Sequence, residues 1–234
     1  FRQIQGLHRN PNLVIGTPGR LKDLCNRNVL NLSTFRSIVL DEVDRMLDMG
    51  FVNDVKFIVA KLATPRQSLF FSATSTPEVD SIMRIFLTNP VKISVKTRET
   101  ASTIFQDVIK LNGRYKIVVL KELLTTHQVT KVLVFGRTKH GIEKLDRELV
   151  DSGFKVASIH GNKRQSQRQR ALNGFKVGQI DILLATDLAA RGLDVTNISH
   201  VINFDLPATY EEYVHRIGRT GRAGKQGIAL SLVD

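Results

Sequence analysis

The stretch Ser37-Ile38-Val39-Leu40-Asp41-Glu42-Val43-Asp44 decides the fold. Its aliphatic half has no alternation of apolar and polar positions, so it reads as a strand covered on both faces, and the acidic cluster marks where that strand stops. Similar runs recur outward on both sides. They occupy 12–16, 68–72 and 91–95 near it, and 104–111, 131–135, 155–159, 181–185, 200–204 and 227–233 further on. Amphipathic segments of helix length lie between many of them, at 52–62, 78–87, 116–125, 141–152 and 165–177. Buried strands alternating with helices predict an α/β fold with parallel sheets covered on both sides.

One polar stretch interrupts the alternation. Residues 96–103, Lys-Thr-Arg-Glu-Thr-Ala-Ser-Thr, have no apolar period and read as a linker. The block at 104–234, with about six expected strands, reads as a complete domain. The block at 1–95 has about four and starts abruptly, as an incomplete domain would. The composition, 42% hydrophobic and 24% charged over 234 residues, excludes a disordered or fibrous chain. No apolar run approaches the roughly 18 residues of a membrane span, and no signal pattern opens the sequence. The lone Cys25 can form no internal disulfide and has no metal-site companions. A reducing, cytoplasmic setting away from membranes is expected.

The charge points to a partner. Thirty-four basic against 22 acidic residues leave +12, which suggests a polyanion, nucleic acid first. The excess is even: 14 − 8 gives +6 over residues 1–98, and 20 − 14 gives +6 over 99–234, so a folded surface rather than a tail carries it. Twelve Phe and no Trp suggest core packing rather than a stacking platform for bases.

The strand ends carry the chemistry. Asp41 and Glu42 at a strand's carboxyl end could hold Mg²⁺ and orient an attacking water, or could simply cap a strand-to-helix turn. Ser72-Ala73-Thr74 ends another strand with two hydroxyls that could bond carboxylates or phosphate oxygens, or act as a plain helix cap. His215-Arg216-Ile217-Gly218-Arg219-Thr220-Gly221-Arg222 interleaves three arginines with glycines, as a bidentate phosphate clamp would. Ala185-Thr186-Asp187 through Asp194 mixes a hydroxyl, carboxylates and an arginine after a buried strand. Thr17-Pro18-Gly19-Arg20 places a helix start beside groups suited to a backbone phosphate.

Taken in order, residues 17–20, 41–44, 72–74, 135–138, 185–194 and 215–222 resemble the motif series of the DEAD-box RNA helicases. His160-Gly161 with Gln165 and Arg168 resembles a further motif of that family. The resemblance implies two RecA-like α/β domains joined by a short linker, the first incomplete, with ATP and RNA bound in or across the cleft between them. It implies an enzyme that couples ATP hydrolysis to local unwinding of RNA and remodelling of RNA–protein complexes. In the roles carried over, Asp41 holds Mg²⁺ through water and Glu42 activates the hydrolytic water. Asp44 links to Ser72, Thr74 and His215, Arg219 and Arg222 reach the γ-phosphate, and Asp194 lies near the nucleotide. Thr17, Gly19, Arg20, Arg137, Thr138, Gly161, Arg168 and Thr186 line a path for the RNA backbone, independent of base sequence. A monomer with ribonucleoprotein partners is expected. Val43 stands where the family has Ala, and a small effect is expected because the flanking carboxylates are kept.

The family's glutamine-containing adenine motif and its G-x-x-x-x-G-K-[ST] loop do not occur in the sequence. A chain without that phosphate cradle is expected to turn over ATP negligibly by itself. The rival readings are an ATP-independent nucleic-acid-binding or annealing module and a DNA translocase of the same superfamily.

Overall fold

A computed structural model of the chain describes residues 2–94, 103–126, 129–190, 193, 195–222 and 225–234. It separates into two compact units, Phe1–Ser94 and Val95–Asp234. Of the linker expected at 96–103, all but Thr103 lies outside the described residues.

The first unit runs α1 (Arg2–Leu7), α2 (Pro18–Asn26), β1 (Ser37–Leu40), α3 (Val43–Asp48), α4 (Val52–Ala60), β2 (Gln67–Phe70) and α5 (Pro77–Phe86). Strands β1 and β2 pair in parallel, Ser37 opposite Gln67 and Leu40 opposite Phe70. Helix α2 packs on α4 through Leu24, Cys25 and Ile58, together with Leu30 and Leu32. A second cluster of Leu40, Val43, Val55, Val59 and Phe86 fills the space under α4 and α5. Two strands predicted from the sequence are not strands. Residues 12–16 and 91–94 run without sheet pairing, and Val95 lies outside the described residues. No described strand flanks them, so their backbone finds no ladder partner, and Leu13, Ile15, Val91 and Ile93 stay exposed. The predicted four strands are therefore two among the described residues.

The second unit runs β3 (Ile104–Lys110), α6 (Lys116–Thr126), β4 (Val132–Phe135), α7 (Lys139–Asp151), β5 (Val156–Ile159), α8 (Gln165–Lys176), β6 (Ile182–Ala185), α9 (Asp187–Ala190), β7 (His200–Asn203), α10 (Tyr210–Ile217) and β8 (Gly227–Val233). Its six strands form one parallel sheet in the order β3-β8-β7-β4-β6-β5. The central strands β4 (VLVF), β6 (ILLA) and β7 (HVIN) are buried at every position. Successive strand residues point to opposite faces. Val132, Val134, Ile182, Leu184 and Ile202 therefore pack on one face with Leu120 and Leu124 of α6 and Leu145 and Leu149 of α7. Leu133, Phe135, Leu183, Ala185 and Val201 pack on the other with Phe175 of α8 and Ala189 and Ala190 of α9. This is the parallel, doubly covered α/β architecture read from the alternation of runs.

The helix starts are chemically marked. Thr138, Thr76 and Thr209 cap α7, α5 and α10, accepting hydrogen bonds from the backbone N–H of Gly141, Val79 and Glu212. The Gln167 side chain reaches back to accept from the Arg164 N–H at the start of α8 (2.9 Å).

Candidate functional site

In the first unit the acidic loop follows β1 directly. The ladder continues one step beyond the strands, as Phe71 N–H donates to the Leu40 carbonyl (2.8 Å) and Val43 N–H donates to the Phe71 carbonyl (3.0 Å). These bonds hold the start of α3 against the end of β2. Asp41 is exposed, and its Oδ1 accepts from the Glu42 N–H (2.9 Å). Glu42 is the N-cap residue of α3 and sits at φ 53°, ψ 51°, the left-handed region. A residue with a Cβ strains there by about 1–2 kcal/mol. Its half-exposed carboxylate lies 3.5 Å from Arg45 Nε.

Asp44, on the first turn of α3, faces the end of β2. Its Oδ2 accepts from the backbone N–H of Thr74 (3.0 Å) and from the Thr74 hydroxyl (3.1 Å), while Oδ1 accepts from the Arg45 N–H (3.0 Å). Partial burial pushes the Asp44 carboxyl up, but the bonds from Thr74, Arg45 and the Ser72 hydroxyl outweigh it and hold the group below its ordinary value of 3.8. Asp44, Ser72 and Thr74 are thus one hydrogen-bonded group. Val43 points the other way, into the apolar cluster with Leu40 and Val55. The branched side chain at this position is core packing and does not touch the carboxylates' acceptor roles.

At the start of α2, Thr17 has extended backbone and Pro18 supplies the first helical turn. Thr17 and Arg20 are exposed, and Gly19 is half-buried. The Arg20 guanidinium pairs with Asp23 and donates to Gln3 Oε1 (2.9 Å).

In the second unit Arg137, Thr138, Gly161 and Thr186 follow the carboxyl ends of β4, β5 and β6. The strand order reverses between β4 and β7, because β4 leads to β6 and β5 on one side while β7, β8 and β3 continue on the other. Open α/β sheets bind ligands at such a reversal. Here Gly136 N–H donates to the Ala185 carbonyl (3.1 Å) and Asp205 N–H donates to the Phe135 carbonyl (3.2 Å). The Arg137 N–H donates to Asp205 Oδ2 (2.9 Å), leaving the Arg137 side chain exposed. The Thr186 carbonyl accepts from Ala189 and Ala190 and begins α9. Gly161 lies exposed in the turn before α8, whose half-buried Arg168 is on the same turn-and-helix unit. That turn is tied to α7, because Glu143 bonds the buried His160 ring (2.6 Å) and the Lys163 ammonium (3.1 Å). The bond to His160, with lesser help from Lys163, holds the Glu143 carboxyl below its ordinary value.

Helix α10 carries the arginine turn. His215 and Arg219 are half-buried, and Arg219 donates to the Leu193 carbonyl (3.2 Å). Arg222 is exposed, its Nε donating to the Gly218 carbonyl (2.7 Å). The third arginine is not available as a clamp. Arg216 is 2% exposed and spends its guanidinium on protein partners, which corrects the three-arginine reading. The glycines also serve the fold: at Gly221 (φ 66°) an added Cβ would come within 2.5 Å of Ile104. Asp194 lies outside the described residues. The sequence reading missed Asn203, Asp205 and Glu143. A polar Asn inside the apolar run 200–204 was the available signal for the first.

Two parallel-sheet α/β units, one bearing an acidic loop at a strand's carboxyl end and the other an arginine turn after α10, define the RecA-like fold class. Comparison with known proteins narrows this. The DEAD/DEAH box helicase family model matches residues 1–82, and the helicase conserved C-terminal domain matches residues 115–224. The DEAD-box ATP-dependent RNA helicase CshA of Bacillus licheniformis is 45% identical over 233 residues, 99% of this chain and 48% of the relative. The chain thus spans about half the length of the curated relatives it matches. Among solved structures, Dbp5 of S. cerevisiae bound to RNA and ADP BeF3 superposes with a TM-score of 0.79 at 30% identity, covering 94% of this chain and 58% of that one. A hypothetical ATP-dependent RNA helicase from Sulfolobus tokodaii is 35% identical with a TM-score of 0.54, covering 99% of this chain and 67% of that one. The chain belongs to the DEAD-box ATP-dependent RNA helicase family.

Proposed function

We propose that this chain forms the acidic-loop and arginine-turn portion of an ATP-dependent RNA helicase, which couples ATP hydrolysis to local unwinding of RNA and remodelling of RNA–protein complexes. The observation that carries the reading is that a family member retains Asp41, Glu42 and Asp44 where β1 ends and α3 begins, together with Arg219 and Arg222 on the turn between α10 and β8. In this assignment residues 1–95 are the C-terminal half of the first RecA-like domain, 96–103 the linker and 104–234 the second domain.

Asp41 fits an Mg²⁺ role through its donor chemistry. It offers an exposed hard-oxygen carboxylate with only Oδ1 engaged by the protein, and no cluster of three or more ligating side chains exists among the described residues. That suits an ion held through one carboxylate, water and phosphate oxygens. When bound, ATP with Mg²⁺ supplies the phosphoanhydride to be cleaved. Glu42 orients and deprotonates water, and Arg219 and Arg222 neutralise charge on the terminal phosphate. Asp194 contributes near the nucleotide. Asp44, Ser72 and Thr74, with His215, pass the state of the nucleotide site to the RNA site. Thr17, Gly19, Arg20, Arg137, Thr138, Gly161, Arg168 and Thr186 hold RNA by its backbone, which makes binding independent of base sequence. The net charge of +12 supports a polyanionic partner. A cytoplasmic monomer working with ribonucleoprotein partners completes the reading.

The test is RNA-stimulated ATP hydrolysis and duplex unwinding by the full-length protein and its Glu42→Gln variant. The expected result is ATP binding retained and turnover abolished in the variant. Near-parental turnover in the variant would move the catalytic role elsewhere, and no RNA stimulation in the parent would overturn the reading.

A further inference from the structure

We propose that Arg216 is a positioning residue that fixes the RNA-facing loops of the second unit to the arginine turn. It does so from inside the crevice where the sheet reverses its winding. The inference rests on the function proposed above.

Arg216 lies on α10, one residue after His215 and three before Arg219, but faces inward. Its Nε and Nη2 donate to the two oxygens of Asp187 (2.6 and 2.7 Å), a fork-on-fork pair. Nη1 donates to Asn203 Oδ1 (3.0 Å) and to the Asp205 carbonyl (2.6 Å). The guanidinium also lies over the Phe135 ring at 5.0 Å. These partners come from four separate places: the start of α9, the end of β7, the loop after it and the end of β4. Three of them, Asp187, Asp205 and Phe135, adjoin a candidate RNA or nucleotide residue. Asp187 follows Thr186. Asp205 accepts from the Arg137 N–H and from the Lys116 ammonium (3.3 Å). Phe135 leads through Gly136 to Arg137 and Thr138. The anchor is itself braced, since Asn203 Nδ2 donates to the Ser231 hydroxyl (3.1 Å).

A buried guanidinium is an unfavourable way to make a core stable, because desolvating two charges offsets most of their attraction. What it provides is geometry. A planar fork satisfied on several sides admits one arrangement of the loops around it, and a lysine cannot reproduce that fork. Arg216 therefore sets the spacing between the backbone of 136–138, the start of α9 and the turn bearing Arg219 and Arg222. It does so without touching a ligand.

The experiment uses full-length protein carrying Arg216→Lys, Asp187→Asn and both together, with Arg219→Ala as a control. Amide hydrogen exchange of the free protein comes first, because it needs no ATP or RNA. The Arg137 and Asp205 amides are expected to exchange at least tenfold faster in Arg216→Lys and Asp187→Asn, with those of β4 and β6 unchanged. In steady state, the RNA concentration for half-maximal ATPase is expected to rise at least tenfold together with a fall in kcat. The double variant should be no worse than the poorer single one, because both remove one linkage. Arg219→Ala should lower kcat without altering the exchange of Arg137. A merely structural role would lower the active fraction and kcat but leave the RNA requirement alone. Parental exchange at Arg137 and Asp205 in both single variants would overturn the proposal, as would unfolding of both. If the parent shows no RNA-stimulated ATPase, the functional reading fails by itself while the exchange data still decide the role of Arg216.

Discussion

Removing the Asp44 carboxylate should loosen the first unit by an amount that its bonding allows to be worked out. Asp44→Ala deprives four donors of their acceptor: the backbone N–H groups of Thr74 and Arg45 and the hydroxyls of Thr74 and Ser72. A hydrogen bond to a charged acceptor contributes about 1.5–3 kcal/mol when shielded from water. Asp44 is half-buried, so water can replace much of each bond, and a total of about 2–3 kcal/mol is expected. At 1.36 kcal/mol per decade, that is a rise of about 30- to 150-fold in opening. Native-state hydrogen exchange across residues 37–86 at neutral pH reads it directly. The pH dependence gives a second reading. Because Asp44 titrates below its ordinary 3.8 in the folded unit, its contribution is complete above that value and is lost as pH falls through the lowered one. The parent should lose protection in that acid window, and Asp44→Ala should not show that component. Exchange within threefold of the parent at neutral pH would refute the claim that this carboxylate holds the end of β2 to α3.

Arg219→Ala or Arg222→Ala in the full-length protein should cost on the order of 10³-fold in RNA-stimulated turnover, measured by phosphate release, with Lys a poor rescue. RNA affinity should fall with salt at a log–log slope of about −0.7 per phosphate neutralised, and a flat salt titration would contradict backbone recognition. Phe175→Ala, deleting a fully buried ring beneath β4 and β6, should destabilise the second unit by about 3–5 kcal/mol in urea unfolding. Glu143→Gln should remove the acid-sensitive part of the tie between α7 and the turn at 160–163. Exchange protection of that turn in the parent should hold above the ordinary glutamate range and fall as pH drops through the lowered Glu143 value.

The second unit was legible because its strands carry their own evidence. Runs such as Val132–Phe135 and Ile182–Ala185 are apolar throughout, and only a central strand of a doubly covered sheet buries every position. The first unit was less so. Residues 12–16 and 91–94 have strand-like composition, yet pairing is a property of neighbours, and no described strand stands beside them. At the candidate site, Asp41, Glu42 and Asp44 could be read from one cluster because adjacent residues share a loop. Arg216 could not be read correctly. Its neighbours in sequence point to phosphate, and its partners Asp187, Asn203 and Asp205 are 29, 13 and 11 residues away, joined only by the sheet's winding.

Glu42 in its left-handed backbone sets folding and chemistry against each other at a single codon. Glycine there would release the roughly 1–2 kcal/mol that a Cβ costs in that conformation, and asparagine part of it. A variant library selected only for resistance to heat or protease should therefore drift toward Gly or Asn at position 42. The same library selected for growth dependent on the protein should keep Glu. Comparing the two selections, position by position, would expose Glu42 without any assay of the reaction itself. Other positions at which the two outcomes diverge would mark where this chain gives up stability for the sake of its work.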